Sequence, residues 1–328
     1  HWLTVTNFFD INPVLSRMGE FEEFEGDSSE VIVGEALKYM KQQKDRPFFT
    51  VIWYGSPHDP MVASEADRAP FAHLSELEQN HYGELVALDR SVGTLRKGLR
   101  DMGIADNTLV WYCSDNGGLP PFGPATVGGL RGFKSSMWEG GLRVPGIIEW
   151  PSEIKEGRVI KHPAGVVDIF PTVLDILGVD LSPMLQPNDG MSILHIIQGD
   201  ESNVRPRPLG FHSDGRAAII DNDYKLVMEN IENGIPLLFD LIKDPKESKN
   251  IFYEKTEVAS DMMQNYIAFN DSVQASIRGE DYPEGRVNPN QPPRVFWWEM
   301  EAYGPYFKDW VKRPEYGKRL KQYMDSKK

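Results

Sequence analysis

Twice in the first half of this chain a helix-patterned stretch leads into a short run that is apolar on both faces, and each run stops in a polar loop. The first helix pattern covers residues 28–44. Val33, Leu37 and Met40 fall on one face, and Ser28 or Ser29 is placed to cap it. Residues 48–54, Phe-Phe-Thr-Val-Ile-Trp-Tyr, follow, then the loop Gly55-Ser56-Pro57-His58-Asp59-Pro60. In the second instance Leu85, Leu88, Val92, Leu95, Leu99 and Met102 form a helical stripe that stops at Gly103. After an Asp106-Asn107 turn, residues 108–113 form the apolar run, and Ser114-Asp115-Asn116-Gly117-Gly118 the loop. Short runs without a polar face, rich in β-branched and aromatic residues, suit strands covered on both sides. The pattern predicts α/β architecture, with ligands at the carboxyl ends of the strands, where both loops lie.

Residues 144–150 read as another short strand, and a helix is expected from Asp168 through Phe170, Val173, Leu174 and Leu177 to Gly178. Beyond Arg205 the texture changes. Arg216–Asp221 and residues 224–229 flank Asn222-Asp223 as a hairpin, residues 237–241 suit a further strand, and residues 257–278 a closing helix. We therefore expect a large domain over 1–205, a smaller α+β subdomain over 206–282 and a Pro- and aromatic-rich tail over 283–328, with a short basic helix near Arg319. Trp297, Trp298, Tyr303 and Tyr306 suit either packing of the tail onto the body, the expected outcome, or a surface for stacking sugars.

At 328 residues and 40% apolar content the chain can bury a sizeable core. Its net charge of −14 argues against nucleic acid as a partner. An anionic substrate would need a local cluster of cations. The single cysteine, Cys113, rules out an internal disulfide. No stretch is long and apolar enough to span a bilayer.

Three segments carry candidate chemistry. Asp115 and Asn116 offer hard oxygen ligands at a strand end, suited to Ca²⁺ or Mg²⁺; the same residues also make a good Asx turn. His58 sits between prolines that could aim its ring into a cleft, or is a surface-loop histidine. Residues 129–145 combine glycines with Arg131, Lys134 and Arg143, as a loop that receives an oxyanion would, or as a structural loop with solvated charges.

Together these segments resemble the sulfatase family of the alkaline phosphatase-like superfamily. The resemblance rests on Pro57-His58-Asp59-Pro60, on Ser114-Asp115-Asn116-Gly117, and on Leu130-Arg131-Gly132-Phe133-Lys134 followed by Trp138-Glu139-Gly140-Gly141-Leu142-Arg143-Val144-Pro145. Val167-Asp168-Ile169-Phe170-Pro171-Thr172, Asp189-Gly190-Met191-Ser192 and Leu238-Phe239-Asp240-Leu241 with Asp244-Pro245 also look familial. The resemblance implies an alkaline phosphatase-like mixed sheet flanked by helices and a sulfuric ester hydrolase activity on a sulfated small molecule or carbohydrate. It implies that Asp115 and Asn116 hold Ca²⁺, with Mg²⁺ an alternative. Lys134 would contact the sulfate and steady charge on the leaving oxygen, and His58 would bind sulfate or protonate the leaving group. Arg131 and Arg143 would tie the loop down. His212 and Arg216, beside a strand end, are rim candidates for substrate. A periplasmic or secreted location is a family expectation.

The family's nucleophile is a formylglycine made from the Cys or Ser of a Cys/Ser-x-Pro/Ala-x-Arg motif, and the chain is read as containing no such motif. Cys113, followed by Ser-Asp-Asn-Gly, is expected to remain a plain thiol. The nucleophile and a pair of metal-binding aspartates are expected upstream of His1, so the chain alone is expected to be inactive. Two other readings stay open: a phosphodiesterase or phosphonate hydrolase of the same superfamily, and a non-catalytic binding protein with this fold.

Overall fold

The computed structural model describes residues 2–4, 11–18, 20–182, 186–200, 202, 204–283, 285, 295–313 and 317–327. In chain order the regular elements are β1 (Trp2–Thr4), β2 (Val14–Arg17), β3 (Glu20–Glu23), α1 (Ser28–Gln43), α2 (Glu65–Arg68) and α3 (Glu76–Asp101). Then come β4 (Val110–Cys113), α4 (Glu139–Leu142), β5 (Gly146–Glu149), α5 (Ile169–Ile176) and α6 (Leu194–Ile197). The strands β6 (Leu209–Ser213), β7 (Arg216–Asp221), β8 (Tyr224–Met228) and β9 (Leu237–Asp240) precede α7 (Thr256–Ile277), α8 (Phe307–Trp310) and α9 (Gly317–Ser326). The chain divides into two compact units, His1–Thr108 with Pro292–Lys328, and Leu109–Gln291. The boundary expected at 205/206 falls inside the second unit.

In the first unit β1, β2 and β3 form an antiparallel meander, and α1 packs along α3. The cap of α1 is Asp27, whose carboxylate accepts from the Ser29 amide at 2.8 Å, rather than Ser28 or Ser29, which are already helical. Ser75 and Glu78 form a reciprocal capping box at the start of α3. The buried side of α3 holds Leu88, Leu95 and Leu99 of the expected stripe, but also Gly83, Glu84, Ala87 and Ser91, while Leu85 faces outward. Gly98, on the same helix, admits α1 closely: a Cβ there would meet the Leu37 side chain at 2.5 Å.

Residues 48–54 form no strand. Phe49, Val51 and Trp53 are exposed, at 66%, 55% and 76%. A strand exists only through a ladder, and none of the ladders among the described residues includes this run. The tail does pack onto its unit. Trp310 and Leu320 are buried against Val14, with Phe21, Trp298, Tyr303 and Tyr306 around them. Tyr306 stacks on Trp310 at 5.1 Å and Tyr303 on Phe21 at 5.3 Å. These three tail aromatics therefore serve packing; the Trp297 side chain lies outside the described residues, as do residues 284 and 286–294.

In the second unit β4 pairs antiparallel with β5, Cys113 opposite Gly146. This ribbon is half-buried rather than fully covered, resting on Ile193, Ile196 and Ile197. The sheet β6-β7-β8-β9 is antiparallel throughout. Period-two alternation gives it two apolar faces. Ala217, Ile219, Leu226, Met228 and Leu238 meet α7 through Ala259, Met262 and Tyr266. Ala218, Val227 and Phe239 meet Met137 and Trp138 from the glycine-rich loop. Each large aliphatic side chain buried this way contributes about 1.5–3 kcal/mol. The second face explains why 206–282 is not separate: the loop of residues 129–145 is part of its core.

Candidate active site

The loop after β4 and the glycine-rich loop are locked together by backbone contact. The Gly117 amide donates to Gly141 O at 3.0 Å, the Lys134 amide to Gly118 O at 2.9 Å, and the Gly140 amide to Arg131 O at 2.7 Å. A Cβ on Gly117 would lie 1.8 Å from Gly140 O, one on Gly140 would lie 2.2 Å from Gly132 O, and one on Gly141 2.4 Å from Ser136 O. Only glycine permits such approach. Asp115-Asn116 and Lys134 thus stand on a single scaffold. Asp115 is exposed, and Asn116 and Lys134 are half-buried.

Charges buried beneath the glycine-rich loop hold it to the sheet. Lys225 Nζ, fully buried on β8, contacts Glu139 Oε1 at 2.9 Å and Glu247 Oε1 at 2.8 Å. Glu247 Oε2 accepts from the Glu139 amide at 2.6 Å, at the N-terminus of α4. Burial pushes the Glu247 carboxyl above its usual range, against the pull of Lys225. Arg131 donates to Glu247 O at 2.7 Å and lies 3.5 Å over the Trp138 ring, whose Nε1 donates to Glu229. Arg131 therefore ties the loop down. Arg143, exposed, reaches Glu139 at 3.9 Å.

Asp115 and Asn116 are candidate ligands for a divalent cation. The Asn116 side-chain amide donates to Asp115 Oδ1 at 3.1 Å and the Ser114 hydroxyl to Asn116 O at 2.9 Å, while the Gly117 amide, which an Asx turn on Asp115 would use, goes to Gly141 O instead. One carboxylate and one amide supply two oxygens where Ca²⁺ takes 6–8. Among the described residues no group of three or more His, Cys, Asp or Glu is arranged to hold a metal. The pair fits part of a coordination shell and does not complete one. Cys113 is a free, half-buried thiol. Burial first, and the Asp115 charge second, push its pKa up, away from thiolate character.

His58 belongs to the first unit. Its Nδ1 contacts Asp59 O at 2.7 Å. The segment after it is pinned to α3: the Val62 amide donates to Glu84 Oε1 at 2.6 Å and the Ala63 amide to Asn80 Oδ1 at 3.0 Å. A Cβ on Gly83 would meet Ala63 Cβ at 2.6 Å. The expectation that no Cys/Ser-x-Pro/Ala-x-Arg motif occurs is wrong: Ser64-Glu65-Ala66-Asp67-Arg68 fits its loosest form. Ser64 is the N-cap of α2: its hydroxyl accepts from the Asp67 amide and donates to Asp67 Oδ2 at 2.7 Å. Asp67 is also clamped by Arg90, which lowers its pKa. The segment is a capped turn with its hydroxyl committed.

The sulfatase family model matches residues 4–179, more than half of the chain. The chain belongs to the sulfatase family. A second model, N-sulphoglucosamine sulphohydrolase C-terminal, matches residues 131–270. N-acetylgalactosamine-6-sulfatase of Canis lupus familiaris is 28% identical over 291 residues, covering 78% of this chain and 53% of that protein. A solved structure titled Ps i-CgsB in complex with k-i-k-neocarrahexaose shares the fold, with a TM-score of 0.69 and 24% identity over 94% of this chain and 64% of that one. Another, in complex with its substrate D-glucosamine-2-N,6-O-disulfate, gives a TM-score of 0.65 at 17% identity, covering 84% of this chain and 75% of that one. The chain spans about a third to a half of the length of the curated relatives it matches. Its fold is the alkaline phosphatase-like α/β fold of the sulfatases.

Within this sulfatase chain the later familial stretches are structural. Asp168, fully buried, pairs in a two-pronged fashion with Arg205 at 2.8 and 2.9 Å and accepts from the Gly165 and Met191 amides. The Thr172 hydroxyl donates to Asp168 O and accepts from the Ile193 amide. A Cβ on Gly190 would lie 1.8 Å from Val167 O. His212, half-buried, and Arg216 lie on the β6–β7 hairpin, where Arg216 reaches Asp214 at 3.4 Å. Sequence reasoning missed Lys225, Glu247, Asn80 and Glu84 as supports. The signal available was charge inside apolar context: Lys225 sits in Tyr-Lys-Leu-Val-Met, and Glu84 falls on the inner face of α3. No described helix is long and apolar enough to cross a membrane.

Proposed function

We propose that this chain supplies the sulfate-binding part of a sulfuric ester hydrolase acting on a sulfated carbohydrate or small molecule. The glycine-locked pairing of residues 115–118 with residues 130–141 carries the reading, because it presents a carboxylate, an amide and a lysine from one rigid scaffold. The Lys134 ammonium would neutralise non-bridging sulfate oxygens and charge growing on the leaving oxygen. His58 would bind the sulfate or deliver a proton to the bridging oxygen. Asp115 and Asn116 would contribute oxygens to a Ca²⁺ or Mg²⁺, with further ligands from elsewhere, and such a cation would draw charge from the sulfate. His212 and Arg216 would line the rim. The sugar sulfate bound by one structural neighbour supports carbohydrate as the substrate class.

The chain alone should have no turnover. Lys134 and His58 act on charge that develops only once a nucleophile attacks, and neither Cys113, with its raised pKa, nor Ser64, held as a helix cap, suits that role. The test is an assay with a chromogenic aryl sulfate on this chain and on an N-terminally longer form carrying a formylglycine motif, the latter also as His58→Ala and Lys134→Ala. The longer form should be active and each variant slower by roughly 10²–10⁴-fold. Robust turnover by the 328-residue chain overturns the inactivity; full rates in both variants overturn the residue roles.

A further inference from the structure

The net charge of −14 is unevenly spread. From Phe307 to Lys328 there are eight Lys and Arg against three Asp and Glu, a strongly basic segment on an acidic protein. The structure shows what this segment does with its charge. Helix α9 is fastened by Leu320, fully buried among the aromatic residues of the first unit, with Met324 packed beside it. The periodicity of the helix then places Lys318, Arg319 and Lys321 on the outward side, all three exposed. None has an ion-pair partner among the described residues. Lys308 and Lys312, just before, are exposed too; Lys312 alone reaches an acid, Asp309 at 3.4 Å. Arg313 is used differently, donating to the backbone carbonyls of Ile11 and Asn12, and so anchors the segment. Residues 318–321 make up one helical turn, about 4.5 Å of axis, so the three cations form a fixed cluster rather than a mobile fringe.

We propose that the outer face of α9 is a docking surface for the anionic polysaccharide that carries the sulfate esters, separate from the scaffold around Lys134. The proposal rests on the sulfated-carbohydrate reading above for its choice of polymer. A protein with this overall charge repels a polyanion at long range, so holding a sulfated chain requires a local cationic cluster. Three unpaired cations on a rigid, aromatic-anchored helix meet that requirement at little conformational cost.

The experiment measures retention of the full 328-residue chain on immobilised dextran sulfate at pH 7, with neutral dextran as control, alongside solution affinity for glucose 6-sulfate. The chain is compared with Lys318→Gln/Arg319→Gln/Lys321→Gln and with Lys134→Ala. The unaltered chain should be retained despite its acidic pI and released by salt, as counterion release demands. The triple variant should lose affinity for the polymer on the order of 100-fold, roughly fivefold per cation near an anionic surface, and keep its affinity for glucose 6-sulfate. Lys134→Ala should do the reverse. If Lys134→Ala leaves the monosaccharide affinity intact while the triple variant still loses the polymer, the site reading fails and the docking surface stands. Equal retention of the triple variant and the unaltered chain overturns the proposal, as does retention that salt does not weaken. Tighter binding to phosphatidylserine vesicles than to dextran sulfate, lost in the triple variant, also overturns it and assigns the face to membranes.

Discussion

Single atoms decide the integrity of the candidate site at its glycines. A methyl group on Gly117 would sit 1.8 Å from the Gly140 carbonyl, and no rotamer relieves a clash between backbones. Gly117→Ala should therefore cost about 1–3 kcal/mol, seen as a lowered thermal midpoint, and should weaken whatever affinity Lys134 confers. Gly93→Ala, in α3 with nothing within 4 Å of the added atom, should be neutral or stabilising by about 0.5–1 kcal/mol. Equal loss in the two variants would refute the steric argument. Cys113 gives a second residue-scale test. With its pKa raised, the thiol is protonated at pH 7, so alkylation should be slow there and accelerate only above the usual thiol range. Mass spectrometry should find both Cys113 and Ser64 unmodified. The loops that carry the candidate residues were legible because each is a short string of distinctive chemistry, as Asp115 stands beside Asn116 and two glycines. The cap of α1 was misread by one position because Asp27, Ser28 and Ser29 are all good caps, and only backbone geometry separates them.

Among elements, the pin between β8 and the glycine-rich loop is the most exposed to error in charge. Among the described residues Lys225 is the one cation buried against Glu139 and Glu247. Lys225→Met should cost about 3–5 kcal/mol, because it leaves two buried carboxylates uncompensated. The triple change Lys225→Met/Glu139→Gln/Glu247→Gln should recover much of that loss. The pH dependence has a definite sign. Burial raises the Glu247 pKa in the folded state, so the folded chain binds this proton more tightly than the unfolded chain does. Stability from this group is therefore present at low pH and falls as pH rises through the window from its ordinary value to the raised one. In Lys225→Met the window widens, so the deficit against the unaltered chain should shrink on going from pH 7 to pH 5. Denaturant melts at the two values decide this, and a deficit that grows on acidification would contradict it. Helices α1 and α3 were legible from periodicity, and the β7–β8 hairpin from the Asn222-Asp223 turn between its strands. The run at residues 48–54 was not, because apolar content shows what a strand would be made of, while its existence depends on a partner that a sequence does not display.

For the molecule as a whole, calcium affinity is the broadest test. Two oxygen donors on one loop should bind Ca²⁺ weakly, and calorimetry on the chain should find no tight site. A sub-micromolar site abolished by Asp115→Ala would contradict this count of ligands. The family and fold were legible because ordered motifs recur at separated places along the chain. The division into units was not, because the change of texture near Arg205 reports a change of local structure, whereas cohesion follows the Trp138 and Lys225 contacts that span it. The aromatic cluster of the first unit has a consequence in time. Val14 and Phe21 are enclosed by Tyr303, Tyr306, Trp310 and Leu320, residues made almost 300 positions later. At about 5–20 residues per second of synthesis, β2 and β3 wait on the order of 15–60 s for their cover. The second unit, contiguous in sequence, emerges complete during that interval. A nascent chain would therefore present an uncovered Val14 and Phe21 to the ribosome exit and to holding chaperones long after the loops of residues 115–118 and 130–141 had closed.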